Sequence, residues 1–136
     1  MKLLTFQARR FAWTPHVRTV EQADEVLDGG EADDAVVVWM HVEAGDVEDE
    51  SRVFRHCLKH IKWIANKRKM RTIVLHFFAH LGGEGSDPDF ARGFIERLGV
   101  RLTDTGYDVK LTPFGYFCAW ELDVYGDSLA KVFKTI

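Results

Sequence analysis

The chain has 136 residues, 46% hydrophobic and 12% aromatic, enough to bury the core of one compact domain of roughly 100–200 residues. With 18 Lys and Arg against 21 Asp and Glu, a net charge of -3 gives no global pull toward nucleic acid or a membrane surface, so any polyanion site has to be local. No apolar run reaches the ~18 residues that span a bilayer, the N-terminus turns basic before a signal-peptide core develops, and Cys57 and Cys118 are too few for a disulfide framework. The expectation is a cytoplasmic protein with reduced thiols, no membrane segment and no metal.

Lys2 to Ala8 reads as a first strand. Arg18 to Asp28 is acidic and mixed, a weak short helix closed by a turn at Gly29-Gly30. Ala35 to Glu43, "AVVVWMHVE", places Val36, Val38, Met40 and Val42 on one side and Val37, Trp39 and His41 on the other, which predicts a central strand buried on both faces. Between Glu48 and Lys69, Phe54, Leu58, Ile61 and Ala65 recur at three- and four-residue spacing, with Cys57 and Ile64 beside them, so one helical face is apolar. The basic run "NKRKMR" leads into Thr72 to Phe78, "TIVLHFF", a second interior strand, and the strand-helix-strand order predicts a parallel crossover. After the glycine-rich "AHLGGEGSDPD", Asp87 is placed as N-cap and Pro88 at the first position of a helix carrying Phe90, Phe94, Ile95, Leu98 and Leu102 and ending by Gly106. Tyr107 to Leu111 and Tyr116 to Val124 read as two strands of an antiparallel hairpin about the Thr112 to Gly115 turn, and Ser128 to Thr135 as a short closing helix. With no internal repeat or linker, the chain is one α/β domain.

His56 and His60 stand four apart on the first helix, but the glutamate of a zinc-protease pattern is missing between them, and two partly exposed histidines explain the pair. Lys59, Lys62, Lys67, Arg68, Lys69 and Arg71 can contact phosphates without base specificity, or form a solvated helix end. "GGEG", Gly82 to Gly85, lacks the Lys-Ser/Thr of a P-loop and the spacing of a dinucleotide fingerprint. His80 lies just past an interior strand, where open α/β sheets bind ligands; a histidine satisfied by a backbone partner fits the position equally well.

"FFAHLGG" at Phe77 to Gly83, together with "TPFGYFCAWEL" and "YGDSLAKVFKTI" at Thr112 to Ile136, resembles the N-terminal editing domain of archaeal threonyl-tRNA synthetases. Leu3-Leu4 and "VVVWMHVE" fall in the same order, so the resemblance covers nearly residues 1–136. It implies a D-aminoacyl-tRNA deacylase-like fold, a mixed β-sheet with packed helices, in a homodimer. It also implies hydrolysis of serine wrongly esterified to threonine tRNA, with no cofactor and with the tRNA acceptor end as partner. The substrate pocket implied is Ala79 and His80 with Pro113, Phe114, Gly115, Tyr116 and Phe117. A cavity that seats a hydroxymethyl group rejects an extra methyl by ~1–3 kcal/mol, and hydrolysing the wrong ester multiplies that discrimination. The chemistry is expected to lean on the tRNA's terminal ribose hydroxyl, the protein positioning water and substrate.

The sequence departs from the family at two charged positions. The family's Pro-Phe-Gly-Tyr-Tyr-Lys reads Pro-Phe-Gly-Tyr-Phe-Cys here, placing Cys118 at the functional lysine, and Lys131 falls where the family has a functional glutamate. Three readings follow: Lys131 supplies the lost amine, a Cys118 thiolate works with His80, or hydrolysis is lost and a ligand- or partner-binding module remains. The chain stops where the resemblance stops, which leaves a free-standing protein that edits in trans or an excised domain, and the free-standing protein is the expectation.

Overall fold

The first strand, β1 (Lys2–Arg18), is 17 residues long, well beyond the Ala8 at which its alternation breaks. In a computed structural model that describes residues 1–136, it pairs antiparallel with β2 (Gly30–His41) and carries a register shift between Ala8 and Arg10 against its other neighbour. A bulge inserts one extra residue and reverses the alternation. Ala8 and Phe11, three apart, thereby both enter the same buried cluster, and the strand continues. Pro15 is accommodated because pairing with β2 ends at Trp13 and Gly30, so the ladder on that side needs no N–H from it.

From β2 the chain passes through a 3-10 turn (Ala44–Val47) into α1 (Glu50–Lys67), then β3 (Thr72–Phe77), α2 (Pro88–Asp104) and β4 (Asp108–Leu111). β2, β3 and β4 are parallel neighbours, so each helix is a crossover between adjacent strands. The Asp87 side chain accepts from the Asp89 and Phe90 amides at 2.9 and 3.2 Å, Pro88 follows it, and Gly106 ends the helix with φ +98°. Both helices cover one face of the sheet: Val53, Cys57, Ile61 and Ile64 of α1 and Phe94, Leu98 and Leu102 of α2 meet Val36, Val38, Met40, Ile73 and Leu75.

The predicted hairpin is not formed. β4 lies at one end of the order β4-β3-β2-β1-β5, while β5 (Tyr116–Val124) pairs antiparallel with β1 at the other. A parallel crossover through α2 delivers β4 to the side of β3, and Thr112 to Gly115 then crosses to the opposite edge. So short a link suffices because the sheet is rolled. Trp39 is opposite Leu4 and Trp120 opposite Trp13, positions that would be about 30 Å apart along a flat strand, yet their rings stack at 4.4 Å. The roll closes a second core of Ala8, Phe11, Trp13, Ala32, Ala35, Val37 and Val74 on the helix-free face.

Two further readings are corrected. Arg18 to Asp28 forms no helix; after β1 it runs irregularly, tied by the Thr19 and Val20 amides to the Gly115 carbonyl. Val20, Ala23 and Leu27 keep a three- and four-residue spacing, but the Gly115 carbonyl and the Tyr116 hydroxyl take up backbone groups of the segment in place of helical bonds. The closing helix is a single 3-10 turn (Ser128–Ala130) followed by β6 (Lys131–Thr135), which pairs with Lys2–Phe6 of β1. An open strand edge offers five residues a partner for their backbone groups that an isolated turn of helix lacks.

Candidate functional site

Beyond the end of β3 the rolled sheet encloses a cavity of about 100 Å³ between β3 and β5. Ala79 and His80 line it from one side and Gly115, Tyr116, Phe117 and Cys118 from the other, so six of the nine residues singled out in the sequence converge although 35 positions separate their segments. Pro113 and Phe114 lie behind the wall, in a neighbouring cavity of about 190 Å³ against α2, where the Phe114 and Phe77 rings are 4.5 Å apart. Lys131 is absent from the lining of both cavities. It opens β6 opposite Phe6, exposed, whereas Cys118 is opposite Pro15 near the far end of β1. Within one chain the lysine therefore does not refill the place of the strand lysine.

Gly115 is required at the corner: its φ is +75°, and a Cβ would lie 2.8 Å from the Val20 Cβ. Its carbonyl accepts from the Thr19 amide at 2.7 Å and the Thr19 hydroxyl at 3.0 Å. The Tyr116 hydroxyl donates to the Asp24 carbonyl at 3.0 Å and accepts from the Val26 amide at 3.1 Å. These bonds occupy the phenol in holding the 19–29 segment over the turn, so it shapes the cavity without a free proton to offer.

Cys118 is half-buried, its thiol 4.0 Å from the Tyr116 carbonyl and without a hydrogen bond to any histidine. Burial raises its pKa, which keeps it a protonated thiol. His80 is exposed at the rim, edge-on to Phe78 at 5.7 Å, and makes no hydrogen bond. The backbone partner expected for it is not made, and neither is a thiolate pair.

The group that sequence reasoning passed over is His76. Only 2% exposed, it contributes to the cavity wall, with Nδ1 2.7 Å from the Thr112 hydroxyl oxygen. That oxygen is 3.5 Å from the Leu75 carbonyl, to which it donates when Nδ1 carries the ring proton. Nε2 makes no bond within the chain, yet is not among the buried unpartnered atoms, so it is open to the cavity. Burial lowers the imidazole to a pKa of about 4, so it is neutral at physiological pH. Trp120 stands edge-on at 5.2 Å, and Trp39 and Phe78 complete an aromatic surround. The available signal was the period of a strand: His76 and Phe78 fall on one face of the predicted Thr72 to Phe78 strand, and attention to His80 beyond its end left His76 unread.

The cavity thus holds no carboxylate, lysine or arginine. Its polar equipment is the imidazoles of His76 and His80, the Thr19 and Tyr116 hydroxyls, a thiol and the backbone, where the Ala79 and His80 amides have no acceptor within the chain. Such a set can orient water and hydrogen-bond a carbonyl oxygen, and it lacks a charged nucleophile.

The sequence matches, over residues 1–136, the family described as the archaea-specific editing domain of threonyl-tRNA synthetase. It is 34% identical over 107 residues to a threonine-tRNA ligase of Thermococcus kodakarensis, covering 79% of this chain and 17% of that protein. It is 32% identical over 136 residues to one from Pyrobaculum islandicum, covering 99% and 22%. The chain therefore spans about a fifth of the length of these curated relatives. Among solved structures it is similar to the c-Myc DNA unwinding element binding protein, with a TM-score of 0.69, 14% identity and coverage of 100% and 99% of the two chains. At that identity the likeness concerns the fold alone, the D-aminoacyl-tRNA deacylase-like α/β fold expected from the resemblance. With the two quoted motifs meeting at one cavity and the family match running through every element that builds it, the chain belongs to the archaea-specific threonyl-tRNA synthetase editing domain family.

Proposed function

We propose that the cavity hydrolyses the ester of a mischarged aminoacyl-tRNA, serine on threonine tRNA, delivered in trans from the cytoplasm. The observation that carries this reading is the meeting of Ala79-His80 with Gly115 to Cys118 around one small cavity in a member of an editing family. The free Ala79 and His80 amides hydrogen-bond the ester carbonyl, where charge develops as water adds. His76, its Nδ1–H donated to Thr112, presents Nε2 to the attacking water. The water oxygen bonds the carbonyl carbon, its proton passes through the imidazole or the adjacent ribose hydroxyl to the leaving ribose oxygen, and the C–O bond breaks to free amino acid and tRNA. His80 at the rim and Phe117, 57% exposed, receive the terminal adenosine. Cys118 acts as packing, Lys131 lies outside the reacting group, and the assembly carried over from the resemblance is a homodimer.

The test is deacylation of seryl- against threonyl-tRNA(Thr), with His76→Gln and His80→Ala as comparisons. Faster loss of serine, slowed by both substitutions, is the expected result. The uncharged lining favours one second reading, a module that binds the acceptor end without hydrolysing it; absence of turnover of either ester at high enzyme concentration decides for it.

A further inference from the structure

From Ser51 to Gly83 the chain carries eight lysines and arginines and no Asp or Glu, although in the whole chain carboxylates outnumber cations 21 to 18. On α1 this leaves Arg55, His56, Lys59 and Lys67 on the exposed face. Lys2 is the only lysine in an ion pair, so Lys59, Lys131 and Lys134 keep uncompensated charges. Between α1 and β6 runs a groove of about 510 Å³ lined by His56, Lys59, His60, Trp63, Val132 and Lys134. Trp63 is 43% exposed there, with the Lys67 ammonium 5.7 Å from its ring. The buried His60 Nε2 beside it has no partner.

β6 carries this charge around the sheet edge. Lys134 is opposite Leu3 on the helix face, and Lys131 is opposite Phe6, whose ring meets Trp39 at 5.1 Å on the cavity face. Trp39 in turn lies 6.2 Å from His76. Contacts are thus continuous from the groove, over the strand edge, to the wall of the cavity.

We infer that the β6 edge is an RNA-binding track: Lys59 and Lys134 take backbone phosphates in the groove, Trp63 stacks a base, and Lys131 takes a phosphate where the strand meets the other face. Uncompensated lysines beside an exposed indole are the chemistry of sequence-tolerant nucleic-acid binding, and a carboxylate-free stretch of this length in an acidic protein localises it. The identity of the RNA, a tRNA acceptor arm, rests on the editing reading; the track itself does not.

Fluorescence anisotropy of the full chain with deacylated tRNA, across a salt series, tests it. Affinity falls linearly in a log-log plot against salt, and Lys59→Glu/Lys134→Glu weakens binding tenfold or more while flattening the slope by about two. Trp63→Ala weakens it about tenfold with the slope kept. Arg101→Glu, an exposed reversal on α2, leaves binding as it was. A double variant that weakens binding no more than Arg101→Glu overturns the track. So does one that keeps RNA affinity and shifts a monomer-dimer equilibrium in sedimentation, which makes the groove a self-interface. Track-dependent binding without ester hydrolysis sinks the editing reading alone, and hydrolysis with kcat/KM unmoved by the track variants sinks the track alone.

Discussion

His76 and Cys118 line the same cavity, and their surroundings divide the chemistry between them. The imidazole is fixed by Thr112 at one nitrogen and open at the other; the thiol is raised in pKa by burial and has no base beside it. His76→Gln is therefore expected to lower kcat/KM for seryl-tRNA by about 10²-fold, within the range of a positioned proton acceptor. Thr112→Val acts through the ring: it lowers kcat with KM kept, and it destabilises the fold by about 1–3 kcal/mol by orphaning a buried nitrogen. Cys118→Ser leaves hydrolysis within twofold, and a larger loss under single-turnover conditions rules out the packing role.

At the scale of elements, the turn at Gly115 links the irregular 19–29 segment to β5. Gly115→Ala combines a left-handed backbone, about 1–2 kcal/mol for a side chain, with a Cβ 2.8 Å from Val20. The variant is expected to lose at least that stability in urea titration and to expose the 19–29 amides to hydrogen exchange, with α1 and α2 amides protected as before. Both helices were legible in the sequence because each buries one face and so has one clean period, and the two interior strands because burial on both faces leaves a continuous β-branched apolar run. β4 and β5 were read as strands too, but as partners of each other, while β1 was read only as far as Ala8 and β6 as a helix. β1 changes phase at its bulge, and the pairing of β4 and β5 depends on a crossover that leaves no local trace. β6 becomes a strand only because Lys2–Phe6 presents an open edge.

For the molecule as a whole, three buried histidines make stability depend on pH. His76, His60 and His41 are all lowered chiefly by burial, His60 further by Lys134, and His76 reaches about 4 against an ordinary 6.5. Between those values the unfolded chain binds the proton and the folded chain does not. Stability is then complete above pH 6.5 and falls as pH drops toward 4, on the order of 3 kcal/mol for His76. Thermal unfolding from pH 7.5 to 4 checks this: His76→Gln should flatten the decline, and an equally steep curve contradicts the assignment.

The sequence by itself determined the class of the fold, the two helices with their apolar faces, the interior strands and the two motifs that carry the family, since these depend on periodicity and short-range residue identity. The tertiary structure alone decided that those motifs share a cavity and that His76, unremarkable in "TIVLHFF", is its best-placed base. It also decided that Pro113, Phe114 and Lys131 stand outside the cavity. The physical reason is the roll of the sheet at the Ala8–Arg10 bulge, which brings Trp120 onto Trp39 and β5 onto the end of β3. Contacts made by curvature join residues far apart in the chain, and no local pattern records them.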